Sequence, residues 1–295
     1  VLYGQITINA LITASSYILA GISFYITYSV ARFYHFTHGA FFALGAYFSY
    51  ILVKSTGTPL IIAILIVTVT LGFTAMAMDW LIYRRIRHFD GGAFIPLLAS
   101  LGIYTIIQNT ISMSFGDSAL TLPMVRYWGV LDVIGGRITV AQIIQLSFAL
   151  LALFLSWLMM KRTLTGQKMR AVGQDRSLSL ALGIPVDNIV SLSFGLGYSL
   201  AAISGAIAAA NVDLTPTMGM RPMMMGMVAM IIGGNTLWGT VRGAILLALA
   251  QHVGVIWIPT QWQDVIAFMV LILVLLFRPT IILINEYLIK MKTAG

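Results

Sequence analysis

The sequence predicts an all-α, polytopic helical membrane protein, and three observations carry that reading. Of 295 residues, 59% are apolar and only 9% charged, with a mean hydropathy of +0.95. A soluble domain is about one quarter charged, so this chain lacks the polar side chains to cover a water-facing surface. Apolar runs recur along the whole chain, many near the roughly 20 residues a helix needs to cross a bilayer. The basic residues, finally, sort to one side of the resulting spans.

About nine spans are expected, near 8–30, 36–53, 59–83, 94–113, 139–160, 188–210, 222–237, 239–258 and 262–283. Place the N-terminus outside and the C-terminus inside. The inner connections then hold Arg32, Arg84, Arg85, Arg87, Lys161, Arg162, Lys168, Arg170, Arg176, Arg242, Arg278, Lys290 and Lys292. The outer ones hold Lys54, Arg126, Arg137 and Arg221, so 13 of the 17 basic residues fall inside. Cytoplasmic loops carry such an excess in membrane proteins, which accounts for the net charge of +8 without a nucleic-acid partner. The first run is too long for a cleaved signal and has no basic leader, so it reads as a helix. With no cysteine, disulfides, thiolate metal sites and a cysteine nucleophile are excluded. Residues 1–295 read as one transmembrane domain with an extracellular loop at 114–138, holding Asp117, Pro123, Arg126, Asp132 and Arg137. A cytoplasmic loop follows at 161–187.

Two regions do not read as simple spans. Residues 36–53 are short and punctuated by Gly39 and Gly45, and residues 222–258 are interrupted at "IIGGNTLWGTVRGA" by Gly233, Gly234, Gly239 and Gly243. Irregular backbone at membrane depth is tolerated only where protein or a water-filled cavity satisfies it. Short, broken segments in the two halves of a chain point to a translocation pathway; close helix packing is the competing reading of the same glycines. Within 94–113, Ser100, Tyr104, Gln108, Asn109 and Ser112 recur at three or four residues, which puts most of them on one helix face. That face can line a path for a small polar solute or bond neighbouring helices. His38, Gly39, Gly233, Gly234 and Asn235 complete the candidate pathway.

Several chemistries are excluded. Asp79 lies beside the Arg84–Arg87 cluster and Asp264 at the opposite mouth, so no carboxylate sits mid-span as a proton- or sodium-coupled carrier needs. No GxxxxGK[ST] occurs, so the chain binds no ATP through a P-loop. His35 and His38 have no third ligand near them for zinc and read as a packed pair. No cofactor site and no catalytic constellation is visible.

Charge is concentrated instead in "TLTGQKMRAVGQDRSLSLALGIP", Thr163–Pro185. Met169, Val172, Arg176 and Leu180 share one side at helical spacing, with Gly173 the only interruption. Gly183 and Pro185 supply a stop, and Asp187–Asn188 can cap the next span. The expectation is a short amphipathic helix pinned between two spans. It either snorkels its cations into headgroups or docks as a lever in a groove on a soluble partner.

The order of motifs resembles the LivH-like permease subunits of bacterial branched-chain amino acid and related ABC importers. "RFYHFTHGAFFALGAY" is similar to the family's R-x-x-N-F-A-H-G then G-A-Y at Arg32, Phe36, His38, Gly39, Gly45, Ala46 and Tyr47. The basic loop and helix with S-L-G and Q-N match at Ser100, Leu101, Gly102, Gln108 and Asn109. The loop pattern G-x-x-x-R-A-x-x-Q-D then G-I matches at Gly166, Arg170, Ala171, Gln174, Asp175, Gly183 and Ile184. "PTMG", "GGNTLWGTVRGA" and the "FRP" at Phe277–Pro279 complete the series, so the resemblance covers essentially the whole chain. Departures occur at Ser177, Leu178 and Ser179, where the family carries E-A-A, and at Asn235–Thr236 and Arg221–Met225.

What the resemblance implies is the permease subunit of an ATP-driven importer in the bacterial inner membrane, for branched-chain amino acids or a related small polar solute. It implies a second permease subunit (a sister chain or a second copy), cytoplasmic ATP-binding subunits that hold the ATP, and an extracytoplasmic solute-binding protein. Gly166, Arg170, Gln174, Asp175, Arg176 and Gly183 then belong to a coupling helix that meets the ATPase. The alternative is a stand-alone facilitator or channel for urea or an amide, which needs neither ATPase nor lever.

Overall fold

The computed structural model describes residues 2–88, 92, 94–122, 129–133 and 135–277. In chain order the helices are α1 (Leu2–Ala31), α2 (Thr37–Thr56), α3 (Leu60–Met78), α4 (Arg84–His88) and α5 (Phe94–Phe115), with a π-helical stretch Asp79–Tyr83 joining α3 to α4. A hairpin of β1 (Val130–Val133) and β2 (Gly136–Thr139) leads into α6 (Val140–Arg162), α7 (Leu164–Gln174), α8 (Arg176–Ala181) and α9 (Val186–Ala208). α10 (Met220–Ile232), α11 (Leu237–Gly254) and α12 (Thr260–Phe277) follow. Among the described residues six helices are long and apolar enough to cross a membrane, or up to seven if α10 and α11 form one bent span. The chain is therefore an all-α polytopic membrane protein of six or seven candidate spans. α2 is as long as a span but less apolar, because Thr37, His38, Ser49 and Tyr50 on it are buried against protein.

The bundle is organised around α9, which lies against α1, α2 and α3. A Cβ on Gly205 would overlap the Phe42 carbonyl, one on Gly197 the Thr27 hydroxyl and the Ser23 carbonyl, and on the facing helix one on Gly45 the Ala202 carbonyl. Lipid offers no hydrophobic drive between helices, so such close backbone approach supplies the attraction. Gly45 thus marks packing, and α2 runs without a break.

The other expected break is present. α10 and α11 meet at 118°. Gly234 (φ 73°) and Asn235 (φ 58°) adopt left-handed backbone, and their N–H groups donate to Ile231 O (3.1 Å) and Met230 O (3.0 Å). This is the paired closure of a helix C-terminus that glycine makes cheap. Thr236 then caps α11, its hydroxyl accepting from Gly239 N at 3.1 Å. A Cβ on Gly239 would overlap the Gly233 carbonyl, so the turn folds flat on itself. The backbone of the turn is thus closed by bonds within the chain, as a break in a low-dielectric layer demands.

The 114–138 connection, expected as loop, contains the β1–β2 hairpin, turned at Gly135 (φ 74°). Gln5 of α1 pairs with it, accepting from Arg137 N at 2.8 Å, and Thr139 forms a capping box with Gln142 at the start of α6. Two four-residue strands leave too short an alternation to stand out in sequence. Pro123, Arg126, Arg278, Pro279, Lys290 and Lys292 lie outside the described residues.

Gly205→Ala should cost about 1–3 kcal/mol by overpacking and lower the melting temperature in detergent. Gly102→Ala, with nothing within 4 Å of its Cβ, should leave it unchanged.

Candidate functional site

Residues 163–187 form a clasped segment at one end of the bundle. Thr163 ends α6 and caps α7: its hydroxyl donates to Met159 O (2.7 Å) and accepts from Gly166 N (3.1 Å). Gly166 sits so close to Met159 and Met160 that a Cβ would overlap their backbone, and the Arg170 guanidinium donates to Met160 O. Met169 and Val172 are buried. Arg32, held at φ 62° at the end of α1, donates Nε (2.8 Å) and Nη2 to Gly173 O. Gly173 is pressed against Ser29 O, again with no room for a Cβ.

The single amphipathic helix expected here is in fact two. The chain breaks at Asp175 (φ −148°, ψ 114°), whose carboxylate accepts from Leu178 N (3.0 Å) and Ser177 Oγ (2.6 Å). An aspartate offered those donors leaves the helix to cap the next one. The same bonds hold its pKa below the ordinary carboxylate range. The cap is therefore complete above that range and is lost as pH falls through the lowered value. After the break the faces no longer align: Leu180 is 61% exposed, with Leu178 (57%) and Leu182 (70%) exposed nearby, whereas Met169 is buried. Gln174 is also exposed. Gly183 (φ 75°) makes the tight exit turn, with Gly183 N on Leu180 O and Ile184 N on Ser179 O, both at 3.0 Å. Asp187 and Asn188 do not cap α9, which starts from Pro185 without a side-chain cap.

The candidate pathway residues divide into three places. His38 is fully buried, stacked between Phe24 (4.3 Å) and Tyr198 (4.0 Å). Gly39 meets the Gly219 carbonyl and the Tyr104 ring. Ser100 accepts from Phe36 N at 3.1 Å, and Thr37 Oγ1 donates to Ser100 O at 3.0 Å. His38 thus packs α2 on α1 and α9, while Gly39, Ser100 and Tyr104 seam α2 to α5 and the start of α10. Gln108 is half-buried and Asn109 exposed, its amide donating to Thr105 O (2.7 Å) on its own helix. Gly233, Gly234 and Asn235 form the α10–α11 turn.

The polar cavity lies elsewhere, at the hairpin end of the bundle. Two adjoining chambers of about 510 and 150 Å³ share Ser16, Gln145, Asn211, Val212, Met218 and Pro222 in their walls. Gln145 is the hub. Its Nε2 donates to Ile12 O (2.9 Å), Ser15 Oγ (2.9 Å) and Ser16 Oγ (2.7 Å), and its Oε1 accepts from Asn211 (3.0 Å). Tyr17 donates to Gln251 (2.8 Å), which fixes α1 to α11 beside the larger chamber.

A sequence signature described as "branched-chain amino acid transport system / permease component" matches residues 6–275. The chain belongs to this family. It is 29% identical over 298 residues to the high-affinity branched-chain amino acid transport system permease protein BraD of Pseudomonas aeruginosa, covering 95% of each chain. It is 26% identical over 292 residues to the permease protein LivH of Escherichia coli, covering 93% of each. A shorter match, 29% over 136 residues, reaches 43% of this chain and 39% of the autoinducer 2 import permease LsrC of Salmonella paratyphi B. The protein is thus a multi-pass inner-membrane permease subunit of an ABC importer of the branched-chain amino acid type, a transport component and not an enzyme.

Two features of this permease escaped the sequence reading. One is the chamber wall, although Gln145 on α6 and Gln251 on α11 are amides in long, mostly apolar runs and so carried a signal. The other is the extent of the ion cluster beside the clasped segment: sequence set Asp79 near Arg84–Arg87, but not Ser191 and Asp187 with them. Asp79, fully buried on the π-helical stretch, accepts from Arg87 (2.5 Å) and from Ser191 of α9 (2.5 Å). Asp187 pairs with Arg84 (3.3 Å) and Arg87 (3.4 Å). The wide π turn re-aims the Asp79 carboxylate toward these partners. Arg176 of α8 faces the same cluster: burial and Arg87 lower its pKa, and Asp187 and Asp79 raise it.

Removing one partner of a buried pair leaves an uncompensated charge, at about 3–5 kcal/mol. Asp79→Asn should therefore lower the melting temperature strongly, and adding Arg87→Met should recover part of the loss.

Proposed function

We propose that this permease works beside a second permease subunit and above cytoplasmic ATP-binding subunits, receiving substrate from an extracytoplasmic solute-binding protein. The hairpin end faces outward and the clasped α7–α8 segment faces the cytoplasm, with the N-terminus outside, the C-terminus inside and nine membrane segments. The charge asymmetry supports this orientation. Branched-chain amino acids are the substrates for which BraD and LivH are named, and we assign the same class here.

The observation that carries the coupling role is the clasp between Arg32 and Gly173. It ties α7 to the end of α1, while Leu164, Leu178, Leu180 and Leu182 project outward, each more than half exposed. An apolar ridge on a basic loop fits a groove on a soluble subunit. Motion imposed there by ATP binding passes into α1 at Arg32 and, through Arg176 and the ion cluster, into α3 and α9. Gly166, Arg170, Gln174, Asp175, Arg176 and Gly183 shape and brace this lever.

α5 supplies the wall toward the second permease. All three helices α3, α5 and α6 expose apolar side chains and a few hydroxyls bonded to their own backbone, but α5 alone of the three exposes an amide at mid-helix, Asn109, among Ile106 and Met113. Polar side chains at membrane depth turn toward protein or water, so Gln108 and Asn109 face a passage shared with the neighbouring subunit.

Gly173→Ala tests the lever in the reconstituted complex. ATP-driven leucine uptake should fall at least about tenfold, with the amount of chain in the membrane unchanged. Uptake at the unsubstituted rate would sink the coupling role.

A further inference from the structure

We infer that the two chambers at the hairpin end form an amino-acid site within each permease chain, loaded before solute enters the passage along α5. Arg221 and Asp264 hold the carboxylate and ammonium of an aliphatic zwitterion there. The inference rests on the reading of the chain as an importer subunit and adds a site to it.

The larger chamber, about 510 Å³, lies within the range of small-molecule sites. Its polar wall includes Tyr17, Gln145 and Gln251, each at most 7% exposed and each fixed by hydrogen bonds to a neighbouring helix. Such bonds pre-set the wall, so a ligand need not order it. Arg221 lines this chamber, and its Nε (2.9 Å) and Nη2 (2.8 Å) both reach the same oxygen, Oδ1, of Asp264. The two side chains are 59% and 43% exposed, and a pair so open to solvent contributes only about 0–1 kcal/mol. Opening it costs little. A zwitterion inserted between them replaces one weak pair with two, its carboxylate on the guanidinium and its ammonium on the aspartate.

The smaller chamber, about 150 Å³, continues from the larger one past Met218 and Pro222, with Leu19, Phe42 and Ala208 as apolar wall alongside Ser204 and the shared polar residues. It takes an aliphatic side chain while the charged head stays at the Arg221–Asp264 mouth. An uncharged amide offers neither charge to this mouth, which favours the zwitterion over urea-like solutes.

The chain has no cysteine, so Val212→Cys, in the wall of both chambers, gives a single reporter in the reconstituted complex. Labelling by a small thiol reagent is followed on this chain by mass spectrometry, with Thr217→Cys as a second reporter. Saturating leucine should slow labelling at least about fivefold. Leucinamide and 4-methylpentanoate, each lacking one charge, should not. Arg221→Gln and Asp264→Asn should each abolish protection by leucine. Equal protection by leucinamide, protection by urea, no protection by leucine, or reporters that label in neither condition would overturn the site. ATP-driven leucine uptake in the same vesicles separates the two readings. Uptake without protection removes the site and leaves the importer, whereas absent uptake removes the importer reading.

Discussion

Close backbone approach at glycine is the constraint on which this chain depends. In water, apolar side chains drive helices together. In lipid that force is absent, and α9 is held by contacts that only a missing side chain permits, at Gly45, Gly197 and Gly205. The same device recurs where the chain must change direction or dock. Gly173 against Ser29 seats α7 on α1, and Gly239 against Gly233 folds the α10–α11 turn. A glycine lost at any of these places moves a helix and not merely a side chain.

That packing sets where polar groups can be afforded. Around α9 they are buried, and the Asp79–Arg87–Ser191 cluster is hydrogen-bonded there. At the hairpin end they surround a cavity, and on α5 they face outward. On our proposal the three settings are a brace, a binding chamber and a wall toward a neighbour. One element, α1, joins the chambers to the clasped segment. Its first half carries Ser16 and Tyr17 of the chambers, and its last residue precedes Arg32, which grips Gly173. A motion imposed on the coupling segment therefore has a direct mechanical route to the solute end.

Much of this could be read before any coordinates. Composition and the positive-charge bias gave the membrane class because both follow from solvation, which depends little on detail. The α10–α11 break was readable because two glycines precede Asn235 and Thr236, a pattern that ends one helix and caps the next. The coupling segment was visible as a dense run of charge, but its division at Asp175 was not. Periodicity tolerates Asp within a helix, and only the Leu178 N–H and Ser177 hydroxyl show the side chain acting as a cap. The polar stripe on α5 misled in part. Ser100 and Tyr104 share its spacing with Asn109, yet the first two are buried and the last faces out. The chambers draw on α1, α6, α10 and α11, residues as far apart as Thr13 and Gln263. No local pattern announces an assembly of that range.

The most direct measurement is solute uptake by vesicles containing the purified chain, with and without its ATP-binding partners and ATP. The account predicts no flux from the chain alone, and accumulation of leucine against its gradient once partners, solute-binding protein and ATP are supplied. Leucine, urea or amide flux through the chain alone, unchanged by ATP, would contradict it and make the protein a facilitator.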